Sequence, residues 1–212
     1  MQARCDAAVL RHTLQFALSP VLHYTPHMPN PHTVYLIRHA TPDRTRRDIP
    51  YDVPPGPPLS PEGRQEAYLM AAHLANAGIR QIFASIMDRA HETATILGTT
   101  LGRPVLHEPA LLEIPNGTRL ADIHDRMVDM WQRLVLATAS DGAIALVSHG
   151  GPITALLQAV VTPALDLDPF TRRFDSHNPL PPAGVWELTR RNDASWQGSL
   201  LFYPAAIDMI RV

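Results

Sequence analysis

The sequence predicts an α/β fold: a three-layer sandwich with a mostly parallel central sheet flanked by helices, and a C-terminal hairpin at one edge. Two continuous apolar runs, Val34–Ile37 and Ala143–Val147, are typical of strands buried on both faces, as in parallel sheets. Strand-like and helix-like segments alternate through the middle of the chain, which favours layers of helix packed on a sheet.

Residues 1–32 are predicted to form an N-terminal extension that is poorly ordered or holds one short helix over Ala7–Leu18. The segment His23–Pro31 contains three prolines, which is typical of an irregular linker. Met28 lies just before the first strand and is a second candidate for the start of the protein. We expect the domain proper to occupy residues 33–212.

The first strand, Val34–Ile37, runs directly into Arg38 and His39. Ligands of open α/β sheets bind just past the carboxyl ends of such strands. An arginine offers a rigid fork of donors to a phosphate or carboxylate, and a histidine is a nucleophile or proton carrier near neutral pH. The long loop Pro42–Pro58 follows, and its arginines (Arg44, Arg46 and Arg47) either contact a second anionic group or are simply solvated.

A first helix is predicted to begin with Ser60 as the N-cap and Pro61 at the first helical position. Gly78 is expected at its C-terminal cap. A second strand, Gln81–Ser85, leads into a helix over Asp88–Leu101. The first helix has one core-facing apolar stripe, formed by Ala67, Met70, Ala71 and Leu74.

Arg89 is expected at a strand's carboxyl end and near a helix N-terminus, and both positions suit anion binding. The alternative for Arg89 is an ion pair with Glu92 on the helix surface. After a short third strand at Val105–Leu106, Glu113 lies among apolar residues, a setting that raises a carboxyl pKa and suits a general acid. A helix with a core-facing stripe is then predicted over Leu120–Leu136.

The buried strand Ala143–Val147 also leads to a histidine, His149, at the carboxyl edge of the sheet. Gly150 and Gly151 let the backbone approach a ligand closely, and Pro152 suits the start of a helix over Ile153–Val161. A polar connection over residues 166–182 follows. Two strands, over residues 184–191 and 199–203, are expected to close the sheet as the edge hairpin.

Composition narrows the possible functions. The chain has 212 residues and a net charge of −2, which leaves no basic surface for nucleic acid. All 18 basic residues are arginine, so mechanisms that need a lysine are excluded. The single cysteine, Cys5, excludes an internal disulfide and a cysteine-based zinc site. No apolar run approaches the ~20 residues that span a bilayer, so we expect a cytoplasmic protein without a membrane partner.

Five elements, in order, resemble the signature of the histidine phosphatase superfamily, also called phosphoglycerate mutase-like. They are Arg38-His39-Ala40-Thr41, Leu59 to Ala67, Ser85 to Ala94, Leu112-Glu113-Ile114 and Ser148-His149-Gly150-Gly151. The resemblance implies that His39 is phosphorylated, that Arg38, Arg89 and His149 hold the phosphoryl group, and that Glu113 is the proton donor of the phosphatase branch. Thr41 and Gly150 would also contact the substrate.

The resemblance implies a hydrolase that acts on a small-molecule phosphomonoester, or on a phosphoprotein, without a metal ion or cofactor. The chain departs from the familiar pattern at Ala40, at Thr41 and in lacking an Asn shortly afterwards, so the phosphate shell and the substrate stay open. A phosphoglycerate mutase-type isomerase and a non-catalytic phospho-ligand binding module are the alternatives. The oligomeric state is not predicted.

Overall fold

The computed structural model describes residues 33–114, 118, 120–137, 142–174 and 178–204. The expected N-terminal extension, with the helix Ala7–Leu18 and Met28, lies outside these residues. Between the described ends, the chain alternates strands and helices in the order β1-α1-β2-α2-β3-α3-β4-α4-α5-β5-β6.

The central sheet has six strands in the spatial order β3-β2-β4-β1-β5-β6. Neighbours among β3, β2, β4 and β1 are parallel, whereas β5 is antiparallel to both β1 and β6. The mostly parallel sheet and the C-terminal edge hairpin are thus as predicted. The strands are β1 (Thr33–Arg38), β2 (Ile79–Ala84), β3 (Val105–His107), β4 (Ala143–Ser148), β5 (Val185–Arg190) and β6 (Trp196–Phe202).

Two hydrophobic cores, one on each face of the sheet, make the three layers. Alternate residues of one strand enter different cores, since Leu36 packs on one side and Ile37 on the other. Helices α1 and α2 cover one face, and α3 and α4 cover the other. The helices are α1 (Pro61–His73), α2 (Asp88–Leu101), α3 (Leu120–Met130), α4 (Gly150–Val160) and α5 (Asp168–Phe174).

Four local expectations need correction. Gly78 does not cap α1, which ends at His73 with Leu74 as its C-cap; the φ of +66° at Gly78 instead turns the chain into β2. Helix α4 begins at Gly150, three residues before the expected start, because His149 has extended backbone and serves as its N-cap. The connection over residues 166–182 contains α5, and the helix predicted to end at Leu136 changes to π-helical turns at Trp131.

The parallel strands point their carboxyl ends at one edge, and this places distant parts of the chain side by side. Arg38 at the end of β1 is in register with Ser148 at the end of β4. The His39 amide donates to the Ser148 carbonyl at 2.9 Å, so His39 and His149 leave neighbouring strands at the same level. Within the described residues, no helix is long and apolar enough to cross a membrane.

Candidate active site

His39 is held in one tautomer by its surroundings. The residue is 2 % exposed, and its Nδ1 lies 2.8 Å from the carbonyl oxygen of Ala40. A carbonyl can only accept, so Nδ1 carries the hydrogen and Nε2 keeps a lone pair. The Nε–H of Arg89 donates to that Nε2 at 3.3 Å. His39 therefore presents an unprotonated nitrogen beside a guanidinium.

Arg89 is fully buried at the start of α2 and has a different partner on each nitrogen. Besides His39, it donates to the Tyr51 carbonyl at 3.0 Å and to Glu113 Oε2 at 3.5 Å. Its guanidinium carbon also lies 4.3 Å from the centre of the Tyr51 ring. The alternative ion pair with Glu92 is not formed, because Glu92 accepts from Arg64 instead.

Glu113 links Arg89 to His149. Its Oε2 lies 3.5 Å from Arg89 Nη2 and 3.4 Å from His149 Nδ1, while its Oε1 accepts from the amide of Ile114 at 3.0 Å. The His39 and His149 rings are 5.1 Å apart. One carboxylate, two imidazoles and one guanidinium thus share a single small space at the carboxyl edge of the sheet.

Burial sets the charge of both histidines. The pKa of His39 is lowered well below the usual histidine value by burial and then by the Arg89 guanidinium. The pKa of His149 is lowered well below that value by burial, with His39 and Arg89 adding to the effect. Both imidazoles are therefore neutral near pH 7, and the arginines supply the positive charge.

The structure brings Arg38 to the same edge, but gives Thr41 and Gly150 other partners. Arg38 donates to the Leu180 carbonyl at 2.7 Å, and its charge helps to lower the pKa of both histidines. The amide and hydroxyl of Thr41 both donate to the Glu66 carboxylate, at 2.8 and 2.9 Å. A Cβ on Gly150 would lie 1.5 Å from Oδ1 of Asn178, so a larger residue there would displace the Asn178 side chain. A substrate-binding role for Thr41 and Gly150 remains a prediction.

Three residues that hold the site together were given no role of their own from the sequence. Tyr51 supports Arg89 from the long loop, and nothing in that loop's sequence indicates the contact. Ser85 places its Oγ 2.9 Å from His149 Nε2. Thr93 Oγ1 accepts from the Ala40 amide at 3.0 Å and donates to the Arg89 carbonyl at 2.7 Å. The position of Ser85 directly after a buried strand is a signal in the sequence that indicates a residue of the site. The role of Thr93 could be found only from the structure.

The site also contains three residues that could coordinate one metal ion, since their ligand atoms lie within 4.8 Å of one another: His39, Glu113 and His149. Two imidazoles and a carboxylate are suitable ligands for several transition metals. However, the Arg89 guanidinium already occupies His39 Nε2 and Glu113 Oε2, and its positive charge opposes a second cation there. The donor set thus fits an anion held by the arginine better than a metal ion.

Comparison with protein families agrees with this geometry. The model for the histidine phosphatase superfamily (branch 1) matches residues 34–119 and 112–179, well over half of the chain. The chain belongs to this superfamily. The matched residues contain β1, α2, the Glu113 segment and β4, which are the elements that build the site.

Curated relatives of this superfamily member include a probable phosphoglycerate mutase of Serratia proteamaculans. The two are 29% identical over 115 residues, which make up 52% of this chain and 53% of the relative. The chain therefore matches about half the length of that relative.

Solved structures share the fold of this superfamily member. A mycobacterial glucosyl-3-phosphoglycerate phosphatase superimposes with a TM-score of 0.59 at 22% identity, over 82% of this chain and 99% of that protein. A phosphoglycerate mutase from Bacillus anthracis gives 0.63 at 14% identity, over 80% and 92%. The fold is thus phosphoglycerate mutase-like, and both a phosphatase and a mutase are built on it.

Proposed function

We propose that this protein is a metal-independent phosphatase that hydrolyses a small phosphomonoester through a phosphohistidine intermediate on His39. The observation that supports this most is the state of the His39 ring, which is neutral, with Nδ1 bound to a carbonyl and the Nε2 lone pair next to Arg89. An incoming phosphoryl group would bind the guanidinium and meet the nucleophilic nitrogen at the same place.

The reaction has two steps. First, His39 Nε2 attacks phosphorus, the bond to the ester oxygen breaks, and protonated Glu113 gives its proton to the departing oxygen. Then Glu113 takes a proton from water, the water oxygen attacks phosphorus, and the phosphorus–nitrogen bond breaks to return the electron pair to Nε2. Arg38, Arg89 and His149 donate hydrogen bonds to the phosphoryl oxygens in both steps.

An isomerase of the phosphoglycerate mutase type is the second candidate, because the curated relative bears that name. The described chain between Glu113 and His149 holds little beyond α3, its π-helical extension and β4. The mutase branch of the superfamily usually carries a longer insertion at this point, so the short segment supports hydrolysis. A non-catalytic binding module is less well supported, since suitable residues fill every position that the reaction needs.

The decisive experiment measures phosphate release from an aryl phosphate, with a metal chelator present, by the wild type and by His39→Ala. We expect activity that survives the chelator and disappears in the variant. Activity that depends on a metal, or that persists in His39→Ala, would refute the proposal. Interconversion of phosphoglycerates, stimulated by bisphosphoglycerate, would establish the mutase instead.

A further inference from the structure

Ser85 is a buried hydroxyl that the two steps above do not use. It follows β2 directly, is fully buried, and lies between the strand and α2. Its Oγ is 2.9 Å from Nε2 of His149 and accepts the amide N–H of Met87 at 3.3 Å. Both contacts are shielded from water, so the single hydrogen of this hydroxyl needs a partner within the protein.

The hydrogen of the Ser85 hydroxyl has one suitable acceptor among the residues that the structure describes. Met87 offers only an N–H, which is a donor, so the acceptor is Nε2 of His149. In the reverse arrangement, with Nε2–H donating to Ser85, the buried hydroxyl hydrogen would have no acceptor. That hydrogen would then lie unsatisfied in the interior, whereas a hydrogen on Nδ1 of His149 lies beside the Glu113 carboxylate, 3.4 Å from its Oε2, which favours the first arrangement.

A neutral imidazole that accepts at Nε2 carries its hydrogen on Nδ1. Nδ1 of His149 is buried, lies 3.4 Å from Oε2 of Glu113, and makes no hydrogen bond of good geometry within the described part of the chain. The Nδ1–H group is therefore a donor without an acceptor, beside the carboxylate of the proposed site.

We propose that Ser85 is a positioning residue that holds His149 as the neutral Nδ1–H tautomer and so keeps this hydrogen available for a phosphoryl oxygen. The phosphoryl acceptor rests on the proposed function, whereas the tautomer rests on the contacts of Ser85 alone. His39 has the complementary arrangement, because its Nδ1–H donates to a carbonyl and its unprotonated Nε2 accepts from Arg89. One histidine thus offers a lone pair to phosphorus and the other a hydrogen to oxygen.

The tautomer can be read directly from the free protein. We would record long-range ¹H–¹⁵N correlations of histidine side chains in ¹⁵N-labelled protein at pH 7, and assign His149 by the loss of its signals in His149→Gln. We expect a neutral Nδ1–H tautomer in the wild type and in Ser85→Thr, which keeps the hydroxyl. Ser85→Ala should shift His149 toward Nε2–H and lower kcat/KM about tenfold, the value of one lost hydrogen bond.

Ser60→Ala is the matched control, since it also removes a hydroxyl that bonds a backbone amide, at the N-terminus of α1. It should lower stability and leave the His149 spectrum unchanged. A wild-type His149 that is doubly protonated or carries its hydrogen on Nε2 would overturn the inference, even if the variants fail to fold. An unchanged tautomer in folded Ser85→Ala would do the same. Failure of the proposed function would show separately, as activity retained in His39→Ala.

Discussion

At the scale of single residues, burial decides the protonation of the two histidines. In the unfolded chain a histidine binds a proton below about pH 6.5. In the folded protein the pKa values of His39 and His149 are lowered well below that, chiefly by burial, so both stay neutral. Between the folded and unfolded pKa values, the unfolded state binds more protons, and acid therefore favours unfolding.

The free energy of unfolding should consequently fall as the pH drops below about 6.5, by up to roughly 1.4 kcal/mol per pH unit for each of the two histidines. Urea unfolding between pH 7.5 and 5 measures the slope, with His39→Gln and His149→Gln as variants. Each variant should lower this slope by the contribution of one histidine. Slopes that match the wild type in both variants would contradict the predicted protonation of the buried pair.

The role proposed for Glu113 depends on the leaving group. Glu113→Gln keeps the size and the hydrogen-bonding ability of the side chain but has no proton to give. We expect kcat/KM to fall about 10²–10⁴-fold for an alkyl phosphate and much less for an aryl phosphate with an acidic leaving group, which departs without protonation. Equal losses on both substrates would show that Glu113 does not protonate the leaving oxygen.

At the scale of elements, the loop over residues 42–58 supports the Arg89 side chain, which α2 carries. The Tyr51 carbonyl accepts a hydrogen bond from Arg89, and the Tyr51 ring packs against the Arg89 guanidinium. The centre of the same ring lies 4.6 Å from the Arg44 guanidinium carbon. Gly56 packs so closely that a Cβ would lie 2.8 Å from Arg89 Nη1. Of the loop's three arginines, Arg46 pairs with Asp48, whereas Arg44 donates to the Tyr51 hydroxyl and is thereby linked to the site.

Gly56→Ala should therefore displace Arg89 and raise KM for the substrate about tenfold or more, because small misplacements of a binding group are costly. Gly102→Ala is the matched control. Both glycines have a left-handed φ, +67° and +63°, but a Cβ at Gly102 would meet nothing within 4 Å. Each variant should lose roughly 1–2 kcal/mol of stability from the backbone strain. An equal KM in the two variants would show that the loop does not position Arg89.

The elements that could be predicted are those whose signals are local. Helix α2 ends where Gly102 adopts a left-handed conformation, and α1 begins at Ser60, whose hydroxyl accepts from the Gly63 amide. Helix α5 and the π-helical turns after Met130 were missed. The short segment near Asp168 carries no long periodic pattern, and the buried Trp131 and Val135 lie four residues apart, a spacing that also fits an α-helix.

At the scale of the whole molecule, the parallel sheet explains why the nearness of His39, Arg89 and His149 was predictable. Each follows a strand, and the carboxyl ends of parallel strands meet at one edge. The contacts that fix the histidine tautomers were not predictable, since they join side chains of unrelated segments, as Ser85 and His149 show. Which nitrogen of each imidazole ring carries the hydrogen depends on distances between side chains, and no sequence pattern contains these distances.

Inorganic phosphate, the expected product, should bind the same pocket and stabilise the whole domain. At a concentration of 100 times its Kd it would add about 2.7 kcal/mol, or roughly 5–10 °C in Tm for a domain of this size. Thermal unfolding with phosphate, against chloride at equal ionic strength, measures the effect. Gly56→Ala should show a smaller shift than Gly102→Ala. The same shift with both salts would mean that phosphate does not bind specifically.

The most direct test of the central claim is to look for the phosphoryl group on His39. The wild type and Glu113→Gln would be mixed with an aryl phosphate, quenched within the first turnovers under alkaline conditions that preserve phosphohistidine, digested and analysed by mass spectrometry. We predict one added phosphoryl group on the peptide that contains His39, accumulating in Glu113→Gln because the hydrolysis of the intermediate is slowed. Turnover of substrate with His39 unmodified in both proteins, or with the phosphoryl group on another residue, would contradict the account.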